Sequence, residues 1–196
     1  MDIQGLQRMV RKGLFSLADS LASYWPAFDD KGVAERNLTA HVCKEFLNCG
    51  FDVFFEIPLG MKKQSERLDC LFISYAHKLY VAVESKKLYG PQKAAEIKGD
   101  IERIYEFKLQ DEDIDLNSAY GLILAETWRP DIATWWISDN DEADLGDDKR
   151  WKSLEDALEI PDIEVESITL YHESDKKVHK ALYAIWPMRV KIAEKC

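Results

Sequence analysis

The chain has 196 residues, 46% hydrophobic and 32% charged, which is typical of one folded domain with a substantial core. Its formal net charge of −10 argues against a general nucleic-acid binder, and no apolar run is long enough to cross a bilayer. Basic residues interrupt the amphipathic N-terminal segment, unlike a signal peptide, so we expect a cytoplasmic protein with no membrane partner. The four cysteines form no CxxC pair and are expected to be reduced thiols. We expect one domain over residues 1–196.

Apolar spacing predicts two helices and three strands in the first half of the chain. A helix over residues 3–24 is expected to pack on the core, with a homodimer contact as the alternative, and Trp25-Pro26 is expected to end it. A second helix is predicted from residue 33 or 34 to Asn48. The strands are predicted at Phe51–Pro58, Leu68–Tyr75 and Lys78–Ser85. Only Ala76 and His77 separate the last two strands, which predicts a tight antiparallel hairpin.

The second half of the chain continues with a helix, a strand, a short helix and a hairpin. The helix is predicted from Pro91 to about Leu109, and the apolar run Ala119–Thr127 is expected to be a central strand. The segment Ile132–Ser138 is ambiguous between helix and strand. A short helix over Ser153–Ile160, with Ser153 as its N-cap, and a closing hairpin of Glu164–Tyr171 and Lys180–Pro187 complete the predicted order.

Charge is distributed unevenly along the chain. The acidic segments Ser138–Asp148 and Asp111–Asp115 are expected to be solvated loops, and the segment Asp139–Asp148 is expected to lie away from the site discussed next. Basic residues outnumber acidic ones between Met61 and Lys98. Any nucleic acid is therefore expected to bind around this middle segment, and Lys62, Lys63 and Lys87 are its candidate contacts.

Two carboxylates and a lysine stand at the ends of the second and third predicted strands. Asp69 begins one strand, and Glu84 and Lys86 end the next. Residues two apart in a strand share a face, so Lys86 can reach a water or phosphate beside an ion bound by Glu84. Lys86 is expected to point toward solvent and substrate, whereas Ser85 faces the other way and is not needed. Carboxylates of this kind bind Mg²⁺ or Mn²⁺ in phosphoryl-transfer sites.

The hairpin register brings the two carboxylates together. If Ala76-His77 is the turn, Asp69 and Glu84 stand opposite each other, within one strand spacing of about 4.8 Å. Like charges opposite each other destabilise a hairpin unless a cation lies between them. The register therefore predicts a shared metal ion.

The order of these elements and Asp69 followed by Glu84-Ser85-Lys86 resemble the PD-(D/E)xK nuclease superfamily. The resemblance covers about residues 34–126, and one departure is that Leu68, not proline, precedes Asp69. It implies a restriction-endonuclease-like three-layer α/β/α domain, with a mixed sheet, an αβββαβ core, and here an added N-terminal helix and C-terminal hairpin. Superfamily members often have a metal-binding glutamate on the helix before the sheet, a position that Glu35 matches better than Glu56.

The resemblance implies a metal-dependent nuclease that hydrolyses DNA, or RNA. Asp69, Glu84 and Lys86 would be catalytic, Glu35, Asp69 and Glu84 would hold Mg²⁺ or Mn²⁺, and Lys98 and Arg103 would be further nucleic-acid contacts. The alternative is a non-catalytic nucleic-acid- or protein-binding regulatory protein that keeps the fold. A group of five tryptophans is expected to be core and rim packing, with base stacking as the alternative; it comprises Trp128, Trp135, Trp136, Trp151 and Trp186.

Overall fold

A computed structural model describes residues 1–24, 33–59, 66–109, 115–138, 145–174 and 177–191. The expected helix stop at Trp25-Pro26, the candidate contacts Lys62 and Lys63, and residues 139–144 of the expected acidic loop lie outside these ranges. Within them, no helix combines the length and apolar character required to span a membrane.

The described residues form five helices and six strands, a mixed α/β structure. In chain order they are α1 (Ile3–Ser23), α2 (Glu35–Asn48), β1 (Asp52–Pro58), β2 (Arg67–Ser74), β3 (Leu79–Lys87), α3 (Pro91–Glu106), β4 (Ser118–Thr127), α4 (Pro130–Ile137), α5 (Lys149–Leu158), β5 (Glu164–Ser174) and β6 (Lys177–Met188). The strands form one mixed sheet in the order β1-β2-β3-β4-β6-β5. The predicted antiparallel meander of the first three strands and the central position of β4 are confirmed.

The β2–β3 hairpin has the predicted register. Cys70 pairs with Val83 and Leu71 with Ala82, and the connection is a four-residue turn over residues 75–78. Helix α3 then carries the chain to β4, which pairs with β3 in parallel from Leu79–Ser118 to Lys87–Glu126. This crossover places α3 against the strand that ends in Glu84 and Lys86.

Helices cover both faces of the sheet. The apolar stripe of α1 is buried with α2 on one face, as the core-packing prediction expects, together with the alternating side chains Val81 and Val83 of β3. Helices α3, α4 and α5 bury the other face, where Tyr80 and Ala82 point. Successive side chains of β3 therefore face different helices.

The segment left ambiguous between helix and strand is helix α4, which begins at Pro130. One other element differs from the prediction. Helix α5 begins four residues before Ser153, because Asp148 is the N-cap and its side chain accepts a hydrogen bond from the Arg150 amide at 2.9 Å. The earlier start lets Trp151 as well as Leu154 pack into the core. The core-packing prediction for the tryptophans is confirmed at Trp136, Trp151 and Trp186, which are buried.

Candidate metal and phosphate site

The β2–β3 ladder ends where the predicted site begins. The last paired residues are Cys70 and Val83, and a continued ladder would next place Asp69 opposite Glu84. The Asp69 side chain instead accepts a hydrogen bond from the Ser85 amide, with 2.8 Å between Oδ2 and N. The half-buried Asp69 carboxylate therefore lies between the ends of the two strands.

Beyond this point, alternate residues of β3 contact different helices. Ser85 faces α2, where its hydroxyl donates to the Glu35 carbonyl oxygen at 3.2 Å, and the Lys87 amide donates to the Glu35 carboxylate at 2.9 Å. Glu84 and Lys86 face α3. The prediction that Ser85 faces the other way from Glu84 and Lys86 is confirmed. Ser85 nevertheless has a structural role, because its amide binds Asp69 and its hydroxyl binds the start of α2.

A cleft of about 540 Å³ opens on the α2 side of these strands. Three carboxylate residues, Glu35, Asp69 and Glu56, line it together with Ser85. Among the described residues, the exposed guanidinium of Arg36 and the apolar side chains of Phe55 and Ala40 also line this cleft. The lining is therefore mixed, and its carboxylates are the groups that could bind a hydrated cation.

Glu56 has an unusual backbone. Its φ of +54° lies in the left-handed region that non-glycine residues rarely adopt. The ladder pairs Phe55 with Cys70 and Ile57 with Leu68, so Glu56 lies across from Asp69 at an interruption of the pairing. Such a conformation costs free energy and is concentrated at functional sites, which draws attention to this end of the sheet.

The α3 side holds a connected group of ion pairs. Arg103 donates through Nε to the Glu84 carboxylate at 3.2 Å and through Nη2 to Oδ1 of Asp100. The Lys86 ammonium lies 3.7 Å from Oδ2 of Asp100. Glu84 and Asp100 are each only 1% exposed, whereas Lys86 and Arg103 keep 23% and 29% of their side chains in solvent. Lys86 is thus directed at a buried carboxylate and not only at solvent, which differs from the prediction.

The buried carboxylates repel each other. Burial, followed by the charges of Asp100 and Asp69, raises the pKa of Glu84 to about 8 despite Arg103. Burial raises the pKa of Asp100 to about 6, although Lys86 and Arg103 oppose the shift. Oδ2 of Asp100 has no hydrogen-bond partner among the described residues. Two cationic side chains therefore do not fully compensate the three carboxylates.

The donor chemistry fits a hard divalent cation. Mg²⁺ commonly binds one or two protein carboxylates and completes its shell with water and substrate phosphate. Asp69 and Glu84 provide two coupled carboxylates, and the Asp100 oxygen without a hydrogen-bond partner adds negative potential. The three expected ligands do not converge, because Glu35 lies on the α2 side and Glu84 on the α3 side. Over the described ranges, no three His, Cys, Asp or Glu side chains are placed to hold one ion.

The expected nucleic-acid contacts have different environments. Lys98 is ion-paired with Glu102 on the surface of α3. Arg103 is not a solvated helix charge, because it links Glu84 and Asp100 within the site. Lys87 is half-buried at the end of β3, with its amide bonded to Glu35.

Asp100 is the main residue that the sequence interpretation missed. It lies on the buried face of α3, which otherwise consists of Ala94, Ile97, Ile101 and Ile104. An acid three residues after Ile97 and one before Ile101 interrupts an apolar helical stripe, and this pattern could have revealed it. A buried acid needs a charged partner, and Lys86 and Arg103 provide two.

No protein-family model, curated protein or solved structure matches the chain.

Proposed function

We propose that the protein is a metal-dependent nuclease that hydrolyses phosphodiester bonds of DNA, or of RNA. The observation that carries the proposal is the position of Asp69 and Glu84 at the ends of adjacent paired strands, with Lys86 on the same side of β3 as Glu84. The helix, three-strand meander, helix and parallel strand also resemble the PD-(D/E)xK superfamily core.

The proposed roles follow from these contacts. Asp69 and Glu84 would hold Mg²⁺ or Mn²⁺, whereas Glu35, on the α2 side, does not converge with Glu84 and would act by holding the end of β3 through the Lys87 amide. The ion, when bound, would polarise the phosphoryl group and activate water. The Lys86 ammonium would hold the attacking water or a phosphate oxygen and offset the negative charge that grows during the reaction. Asp100 would fix the position of Lys86, at an Oδ2–Nζ distance of 3.7 Å.

The test is a cleavage assay on single-stranded, duplex and supercoiled DNA and on RNA, with Mg²⁺, with Mn²⁺ and with EDTA. We expect cleavage only with metal, and we expect Lys86→Ala to reduce it by about 10²–10³-fold, the usual effect of removing one preorganised charged group. Lys152→Ala is the control, because Lys152 is a lysine on α5 that pairs with Glu155 and Asp156 and has no proposed role in binding or cleavage. Full activity of Lys86→Ala would show that the site is misassigned.

A non-catalytic binding protein is the second candidate. It is favoured by the ion pairs that already engage Glu84 with Arg103 and Lys86 with Asp100. In that case the charged group would only stabilise the fold. No cleavage with either metal, together with no change in melting temperature on adding Mn²⁺, would support this second function and contradict the first.

A further inference from the structure

A row of three rings extends from the surface into the core beyond the ends of β3 and β4. Tyr89 stacks on Trp128 with 5.2 Å between ring centroids and 22° between ring planes. Trp128 in turn contacts His179 at 6.3 Å. Nδ1 of His179 lies 2.7 Å from the Glu126 carboxylate, and both of these side chains are completely buried. The outermost ring is thus anchored through the row to a buried polar pair.

The backbone around Tyr89 and Trp128 is fixed on both sides. The Leu88 amide donates to the Glu126 carbonyl oxygen at 2.8 Å. Arg129 donates through Nη1 to the Tyr89 carbonyl oxygen at 3.4 Å and is itself ion-paired with Asp131. Although it is stacked on Trp128, Tyr89 remains 41% exposed. A ring held in place with an exposed surface loses little conformational entropy when it binds a flat ligand.

This ring lies close to the proposed active site. Tyr89 follows Lys86 by three residues, so their Cα atoms are at most about 11 Å apart. Lys93, in the first turn of α3, lies close enough to both Tyr89 and Glu35 for their charges to act on its ammonium group. The exposed ring therefore stands beside the edge of the sheet where a phosphate would bind.

We propose that Tyr89, supported by Trp128, stacks on an unpaired base of a single-stranded DNA substrate. The proposal rests on the proposed nuclease function for the position of the phosphate group. Inside a duplex both faces of a base are covered by its neighbours, so an exposed tyrosine ring can stack only on an unpaired or terminal base. The nearby cations Arg129 and Lys93 are already paired with Asp131 and Glu96, so stacking rather than phosphate attraction would dominate affinity.

The test measures DNA binding without cleavage. Labelled oligo(dT) and a blunt duplex of equal length are titrated with the protein in EDTA, at low and high salt. We expect Tyr89→Ala to weaken oligo(dT) binding by roughly 5- to 100-fold, the usual range for losing one stacked base, and Tyr89→Phe to bind like wild type. Tyr75→Ala is the control, because Tyr75 is 55% exposed in the turn at the other end of the β2–β3 hairpin.

Each outcome has a defined meaning. The proposed stacking platform, Tyr89 on Trp128, is overturned if wild type does not bind oligo(dT) or if Tyr89→Ala binds oligo(dT) like wild type. It is also overturned if Tyr75→Ala weakens oligo(dT) binding as much as Tyr89→Ala does. Equal losses in Tyr89→Phe and Tyr89→Ala would also overturn it, since the hydroxyl and not the ring would then matter. Tyr89-dependent binding without metal-dependent cleavage would retain the platform and reject the nuclease. Metal-dependent cleavage that does not depend on Tyr89, with equal oligo(dT) binding by wild type and Tyr89→Ala, would retain the nuclease and overturn the stacking role of Tyr89.

Discussion

The Asp69 carboxylate accepts a hydrogen bond from the Ser85 amide at 2.8 Å, at the point where β2 and β3 stop pairing with each other. A side chain thus replaces the next main-chain bond of the hairpin. The Asp69 carboxylate therefore lies between the two strand ends, next to the α2 cleft and close enough to Glu84 for their charges to interact. The end of the hairpin is therefore both a structural junction and the proposed metal site.

Asp69→Asn and Asp69→Ala should differ in stability but not in activity. The amide oxygen of asparagine can still accept the Ser85 N–H, whereas alanine leaves this donor without its partner. We expect the alanine variant to be less stable than the asparagine variant by about 1–2 kcal/mol in urea unfolding. Both should lose metal-dependent cleavage, because both lack the carboxylate. Equal stabilities would mean that the Asp69–Ser85 bond contributes nothing to folding.

The raised pKa of Glu84 predicts a stability change with pH. Its pKa rises from 4.5 in the unfolded chain to about 8 in the folded protein, so between these values the folded state binds more protons. The free energy of unfolding should therefore be highest at the acid end of this window and fall as the pH rises to about 8. Asp100, with its pKa raised to about 6, changes in the same direction and still ionises just above that pH. The upper part of the fall, towards pH 8, therefore reports mainly Glu84.

Urea unfolding at pH 6, 7 and 8 checks this prediction. Glu84→Gln can keep the hydrogen bond from Arg103 but does not ionise. Across this pH range its free energy of unfolding should therefore fall less than that of wild type, with a difference of about a few kcal/mol in total. Glu102→Gln is the control, because the Glu102 side chain is 58% exposed on α3, next to Arg103, and its loss should leave the wild-type slope intact. A wild-type slope in Glu84→Gln would show that another group titrates.

The hairpin register could be predicted because the connection between the two apolar runs is so short. Both faces of these strands are buried, so the register rests on the turn, which the interval around Ala76-His77 fixes. The observed pairs Cys70–Val83 and Leu71–Ala82 follow from this turn. The shared face of Glu84 and Lys86 then follows from strand geometry.

The ion pairs between β3 and α3 could not be predicted in the same way. They depend on how α3 is rotated on the sheet, which is set by the packing of Ile97, Ile101 and Ile104. A sequence pattern describes α3 as an isolated helix, and it therefore cannot show that Arg103 reaches two buried acids. Likewise, Glu35 is separated from Glu84 because α2, which carries Glu35, and α3, which Glu84 faces, lie on different faces of the sheet. Only the tertiary structure reveals this arrangement.

Two glycines should respond oppositely to alanine. A Cβ on Gly121 would lie 2.3 Å from Cζ2 of Trp186, which is fully buried opposite it on β6. We expect Gly121→Ala to destabilise the protein by about 1–3 kcal/mol because the indole must shift in a packed core. A Cβ added to Gly99, within α3, would meet no atom within 4 Å, so Gly99→Ala should stabilise by about 0.5–1 kcal/mol. Thermal unfolding of both variants checks the signs, and a neutral Gly121→Ala would contradict the packing.

The pairing of Lys86 with Asp100 predicts a stability cost for removing this lysine. Lys86→Met retains most of the apolar stem but leaves the buried Asp100 carboxylate with Arg103 as its only ion-pair partner among the described residues. We expect a loss at pH 8 that is smaller at pH 5, where Asp100, with its pKa raised to about 6, is largely protonated. Lys98→Met, which breaks only the surface pair with Glu102, should cost about 0.5 kcal/mol or less at both pH values.

A double-mutant cycle separates this cost from the role of Lys86 in cleavage. When Asp100→Asn is already present, Lys86→Met should cost less stability, with a coupling free energy of about 0.5–3 kcal/mol at pH 8. If Asp100 positions Lys86, Asp100→Asn should also lower kcat by about 10–100-fold while Mn²⁺ affinity and KM change little, as for other supporting partners of catalytic groups. If the stability losses of Lys86→Met and Asp100→Asn simply add, Lys86 and Asp100 do not interact and the proposed ion pair is wrong. Unchanged kcat in Asp100→Asn would show that Lys86 acts without Asp100, because a purely structural acid leaves the chemical step intact.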